Sequence, residues 1–218
     1  ELVKPGKSTA HNQWEAGWPA AFAKVNYPTT YLGMNAVSGI NEAWFLIGFA
    51  SFDAMEKDQV RMDADAPLTT ELRRLGAGES DFLENTRQVI ASYVPSVSYK
   101  ANVDLSKMRY FEILTYTMKP GHEGDFIKAA ALVRDGYTKA GIGQPWAIYR
   151  AVTGMPAGTF YVFLPMRSLA ALDGAAATDD AMGRALGPDQ MNALGKPVTD
   201  GGATSQSQVV AFNPKSSY

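Results

Sequence analysis

Only two imidazoles, His11 and His122, occur in the chain, and cysteine is absent. Thiolate nucleophiles, thiolate metal sites and disulfides are therefore excluded. Proton transfer near neutral pH falls to histidine, or to carboxyl groups moved out of their usual range. His122 stands beside Glu123 and Asp125 in what reads as the first turn of a helix. That is a common solvated pattern, and no further ligand completes it as a metal site. His11 is more informative, because Glu15 follows one helical turn later and shares its face. A buried His–Glu pair has three readings: a structural hydrogen bond, a general base oriented by its carboxylate, or a ligand to haem or metal. The structural hydrogen bond is the plainest of the three. Pro19 removes a backbone bond to Glu15 and predicts a kink just after the pair.

Strand alternation supplies a second constellation. Tyr110, Glu112, Leu114 and Tyr116 share one face of a predicted strand, and Trp146, Ile148 and Arg150 share a face of another. Glu112 and Arg150 are charges within segments that otherwise read as buried, so each needs a partner. They are expected to meet in an interior walled by Tyr116 and Trp146, with Tyr31 and Asn35 at the equivalent places of an earlier segment. Two readings stand side by side: an ion pair that fixes register, and a pocket in which Arg150 holds an anionic or carbonyl-bearing molecule. Other motifs carry less. Lys4-Pro5-Gly6-Lys7-Ser8-Thr9 ends like a phosphate loop, but Glu1 stands where a glycine is needed, so it reads as a tight turn. No serine sits in a nucleophile-elbow context.

The elements that must position these residues follow from an internal repeat. Lys4-Pro5-Gly6 recurs as Lys119-Pro120-Gly121, an offset of 115, and Ala36-Val37-Ser38-Gly39 falls on Ala151-Val152-Thr153-Gly154. Residues 4–47 lie over 119–162 without a gap, and Ser98-Tyr99 matches Ser217-Tyr218 at the ends. At this offset His11 falls on Phe126, Glu15 on Ala130, Trp18 on Val133 and Phe22 on Tyr137. The second copy is complete. It reads as a strand over 109–118, a helix over 122–140 with Phe126, Ala130, Val133 and Tyr137 on its buried stripe, and a hairpin of strands 146–152 and 159–164. A helical stretch over 168–194 broken at Gly187-Pro188 and a strand over 206–212 follow. The order β-α-β-β-α-β is the ferredoxin-like unit. The first copy matches except that Glu1-Leu2-Val3 is only the tail of its opening strand; residues 94–107 read as the linker.

The fold expected is therefore α+β: two tandem ferredoxin-like repeats, 1–99 and 100–218, packing as an α/β barrel within one chain.

Composition bounds the partners. With 218 residues, 46% apolar, 19% charged and a net charge of -2, the chain suits a packed domain with no bulk pull toward nucleic acid or an anionic membrane. No apolar run approaches the roughly 20 residues of a membrane helix. The expected partner is a small molecule, and the chain is a monomer or homodimer. A start at Glu1 suggests an N-terminal segment removed on export, hence a secreted or periplasmic location.

The stretch Tyr110-Phe111-Glu112-Ile113-Leu114-Thr115-Tyr116-Thr117-Met118-Lys119-Pro120-Gly121 resembles the opening strand of NIPSNAP-type dimeric α/β-barrel proteins. These group with the antibiotic-biosynthesis monooxygenases, EthD-like proteins and chlorite dismutases. Where the family often carries an arginine before Thr-Tyr-Thr, this chain has Leu114. The resemblance implies either a cofactor-independent monooxygenase-like enzyme acting on an aromatic or polyketide-like substrate, or a non-catalytic ligand-binding or structural barrel. A haem-binding barrel with His11 as axial ligand is the lesser option. In the first reading His11, Glu15 and Glu112 handle protons, while Arg150, Tyr116, Trp146, Tyr31, Asn35 and Trp18 hold the substrate; no cofactor and no metal ligand set is assigned.

Overall fold

The computed structural model describes residues 1–201 and 204–218, and their side chains apart from those of residues 196–200. The chain divides into two compact units, Glu1–Arg87 with Val210–Tyr218, and Gln88–Val209. Each is a mixed α+β unit with an antiparallel sheet.

In the second unit β6 (Tyr110–Thr117) leads through Lys119-Pro120-Gly121 into α5 (Glu123–Ala140). The helix buries Phe126 and Tyr137 and ends at Gly141, whose φ of 67 is left-handed, which glycine adopts without strain. Strands β7 (Ala147–Thr153) and β8 (Thr159–Met166) form the expected hairpin, turned by Gly154 and Gly158 at φ 85 and 80. A 3₁₀ turn (Leu169–Gly174), α6 (Ala175–Leu186) and α7 (Pro188–Asp200) follow, separated at Gly187-Pro188, and β9 (Thr204–Phe212) closes the chain's last repeat. The strand order β9-β6-β8-β7 is that of the ferredoxin-like unit, and β5 (Ile90–Tyr93) adds itself outside β7. Val97, Tyr99, Phe126, Tyr137, Trp146, Ile148 and Phe160 form the core between this sheet and α5 and α6, with Phe126 stacked on Phe160 at 4.1 Å.

The first unit repeats the plan. β1 (Leu2–Val3) pairs with β4 (Leu83–Asn85) and bridges from Leu2 to Glu42, next to β3 (Ala43–Ile47), which pairs with β2 (Tyr31–Ala36). Residues Val210–Phe212 of β9 pair on the other side of β2. The first helix is broken into α1 (Ser8–Glu15) and α2 (Gly17–Lys24). Pro19 lacks the N–H that would bond the Glu15 carbonyl, and it falls in the first turn of α2, where that loss is tolerated. α3 (Phe52–Ala64) is capped by Ser51, whose Oγ accepts from Ala54 N, and α4 (Ala66–Glu79) by Asp65, which accepts from Leu68 N.

Two close approaches fix how these parts meet. Gly33 on β2 has no side chain because Ser216 lies there, and Gly33 N donates to Ser217 Oγ at 2.8 Å. Gly78 leaves room for the ring of Trp14, whose Nε1 donates to the Leu75 carbonyl at 3.0 Å. The second contact sets the end of α4, and with it Glu79, against α1.

Candidate functional site

On α1 the i, i+4 spacing turns His11 and Glu15 to the same side, and both are buried, at 1% and 3% exposure. His11 Nε2 lies 3.0 Å from Glu1 Oε2 and 3.6 Å from Glu15 Oε1. Glu1 is held by paired backbone bonds with Ala43 (Glu1 N to Ala43 O and Ala43 N to Glu1 O, both 2.9 Å). Glu79, at the end of α4, and Tyr31, on β2, complete the cluster. All five residues belong to the first unit.

The electrostatics follow from crowding carboxyl groups in a dry place. Burial, then the neighbouring Glu1 and Glu79 carboxylates, pushes the Glu15 carboxyl up to about 9. Burial and then Glu1 push Glu79 up to about 7. Burial, then Glu15 and Glu1, raises the Tyr31 phenol well above its usual range. Trp18 Nε1 faces the Glu79 carboxylate, favouring its ionised form without closing a hydrogen bond of normal geometry.

Among the described residues, three buried side-chain atoms lack a hydrogen-bond partner: Glu15 Oε1, Trp18 Nε1 and Tyr31 Oη. All three belong to this cluster. Buried polar groups are nearly always paired, and leaving one unpaired costs about 1–3 kcal/mol.

The repeat acts as an internal control. At the offset of 115, Glu1, His11, Glu15 and Tyr31 correspond to Tyr116, Phe126, Ala130 and Trp146. In the second unit Tyr116 lies against Phe126 with ring centroids 5.3 Å apart, and Phe126 stacks on Phe160. The same fold thus closes over an apolar, aromatic layer in one copy and a polar cluster in the other.

The strand constellation is arranged differently from expectation. Tyr116, Leu114, Trp146 and Ile148 do share a face, and it is the face covered by α5 and α6. Glu112 and Arg150 do not meet. Glu112 stands opposite Leu164 and Arg150 opposite Phe160, four positions apart along β8, or roughly 13 Å. Glu112 accepts from Ser207 Oγ at 3.1 Å, and Arg150 is exposed. Tyr116 and Trp146 are core residues of the second unit, and the Trp146 Nε1 donor is satisfied by the Val97 carbonyl at 3.0 Å. Asn35 is half-buried on the same face of β2 as Tyr31.

His122 lies at the surface, 2.9 Å from Asp125. Sequence reasoning missed Glu1 and Glu79. The repeat offset carried the signal for Glu1, since it falls on Tyr116; nothing in the spacing pointed to Glu79. A shallow groove of about 420 Å³ between β2, β3 and α3, lined by Thr29, Phe49, Lys57, Asp58 and Arg61, also went unread. A haem ligated by His11 does not fit this arrangement. The Nε2 atom it would use is already flanked by two carboxylates, at 3.0 and 3.6 Å, where the iron would stand.

No known protein family matches the sequence, and no curated protein does. Solved structures do match. A candidate monooxygenase from Fusobacterium nucleatum subsp. nucleatum ATCC 25586 superposes with a TM-score of 0.57 at 9% identity, over 97% of this chain and 88% of that one. An anthrone oxidase-like protein does so at 0.54 and 12% identity, over 92% and 86%. A candidate monooxygenase from Lactobacillus acidophilus NCFM gives 0.54 at 8%, over 97% and 90%. The chain shares their fold. At such identities the likeness speaks for architecture, and chemistry must be argued from the cluster itself.

Proposed function

We propose that the protein is a small-molecule enzyme of the monooxygenase type, with the His11 cluster as its reaction centre. The observation that carries this reading is a buried imidazole flanked by two carboxylates, in a cluster that also holds three buried polar atoms with no hydrogen-bond partner. The match to an anthrone oxidase-like structure and to two candidate monooxygenases supports the reaction class. The resemblance of Tyr110–Gly121 to NIPSNAP-type barrels belongs to the same reading, as does a tandem duplication with repeats 1–99 and 100–218.

The chemistry suits a polycyclic aromatic ketone with an acidic C–H. Tyr31 O–H and Trp18 N–H are donors for its carbonyl oxygen, and a negative charge growing there during proton removal strengthens both bonds. His11 takes the proton, with Glu1 orienting the ring. The aromatic rings of Phe22 and Tyr27 supply an apolar wall. The carbanion reacts with dioxygen: the CH₂ carbon becomes C=O, one oxygen atom enters the product and the other leaves as water. Four electrons pass from carbon to O₂, so no flavin or haem is required. Glu1, with 18% of its side chain exposed, is the edge of the cluster that meets solvent.

The test is an oxygen electrode with anthrone as substrate. Wild type should consume one O₂ per anthrone, and His11→Ala should lose about 10²–10⁴-fold in rate. Equal rates in both proteins, or none in the wild type, would overturn the reading.

A further inference from the structure

The three side chains Glu1, His11 and Glu15 place His11 Nε2 and one oxygen of each carboxylate within 4.8 Å of one another. Such ligands bind a first-row divalent ion at about 2.0–2.2 Å, which sets ligand–ligand separations near ~3.0 Å in an octahedron and ~3.4 Å in a tetrahedron. The observed separations from Nε2 are 3.0 Å to Glu1 and 3.6 Å to Glu15. The two edges that meet at Nε2 are therefore near the spacing a coordination polyhedron needs.

A second observation points the same way. Glu15 is 3% exposed, and its Oε1, the oxygen facing His11, has no hydrogen-bond partner. A buried oxygen without a partner is a ready ligand atom for a cation. Glu79 adds a further carboxyl to the same space. One nitrogen and several carboxylate oxygens suit zinc, manganese or iron better than copper or calcium.

We propose that Glu1, His11 and Glu15 form a site for a first-row divalent cation. The exposed edge of Glu1 gives the ion its path in. An ion on Nε2 leaves the ring's proton on Nδ1 and no lone pair free to act as base, so a bound ion blocks the oxidation proposed above. Binding is measured without turnover, and the oxidation is measured on chelator-treated protein. Each reading can therefore fail alone.

The probes are Zn²⁺ by titration calorimetry and Co²⁺ by its visible absorption, on chelator-treated wild type and on His11→Ala, Glu15→Gln and His122→Ala. One Zn²⁺ per chain at micromolar Kd or tighter is expected. Affinity should fall at least 100-fold in His11→Ala and Glu15→Gln and stay unchanged in His122→Ala. Circular dichroism identifies any variant that fails to fold. Glu15→Gln, which keeps the size and shape of the side chain, then decides the matter through Zn²⁺-dependent Tm, raised in wild type and unmoved in the variant. Absence of saturable Zn²⁺ and Co²⁺ binding to wild type overturns the site. Binding that survives Glu15→Gln but is lost in His122→Ala also overturns it, by assigning the ion to the His122–Asp125 surface pair.

Discussion

Glu15 Oε1 stands 3.6 Å from His11 Nε2 and bonds to nothing, at a position where the second copy of the repeat has Ala130. At the corresponding place the second unit holds an aromatic layer, with Phe126 stacked on Phe160.

The raised Glu15 carboxyl makes stability depend on pH in a defined sense. The folded chain keeps this proton up to about 9, whereas the unfolded chain releases it above 4.5. The unfolded state therefore binds fewer protons across this window. The contribution is fully present below pH 4.5 and is lost progressively up to pH 9. Glu15→Gln removes the effect. Its Tm should match wild type near pH 4 and exceed it increasingly from pH 5 to 9, by at most about 1.4 kcal/mol per pH unit. Denaturant melts at five pH values measure the gap; a constant gap contradicts the assignment.

Tyr31→Phe separates binding from stability. The phenol oxygen is buried without a partner, so its removal should stabilise the fold by about 1 kcal/mol. The same change removes a donor for a substrate carbonyl and should raise KM for anthrone about tenfold. A Tm that falls by several degrees would show that the hydroxyl is satisfied in the native protein.

Phe160→Ala tests the layer that replaces the cluster in the second unit. Phe160 is fully buried and stacks on Phe126 at 4.1 Å, so truncation should cost about 3–5 kcal/mol. Zn²⁺ affinity of the folded variant should not change, because the cluster lies in the other unit. A calorimetric titration below its Tm checks both halves of this expectation.

Much of the architecture was legible because it rests on local periodicity. The stripe of Phe126, Ala130, Val133 and Tyr137 predicted a helix over 122–140, and the structure has Glu123–Ala140. Pro19 predicted a disturbance after Glu15, and the helix divides at Ala16. The repeat also located His11 and Glu15 on a buried face. Lateral placement was not legible. Alternation assigns a residue to a face of a strand but leaves open which strand lies alongside, so Glu112 and Arg150 were expected to meet. Pairing of β5 with β7 and of β9 with β2 was equally out of reach, because strand periodicity does not name an edge. Glu1 was within reach through its alignment with Tyr116. Glu79 was not, since its approach to Glu15 depends on how α4 docks on α1 through Trp14 and Gly78.

The central claim is that the polar cluster exists for chemistry and not for folding. The double substitution His11→Phe with Glu15→Ala rebuilds the first copy in the image of Phe126 and Ala130. Replacing a buried ionisable pair by apolar residues is often neutral or stabilising, by about 1–4 kcal/mol, so the variant should remain folded. The decisive measurement is oxygen uptake by this variant with anthrone, beside wild type. The expected result is a folded protein whose rate has fallen at least 100-fold. A folded variant oxidising anthrone within twofold of wild type would contradict it.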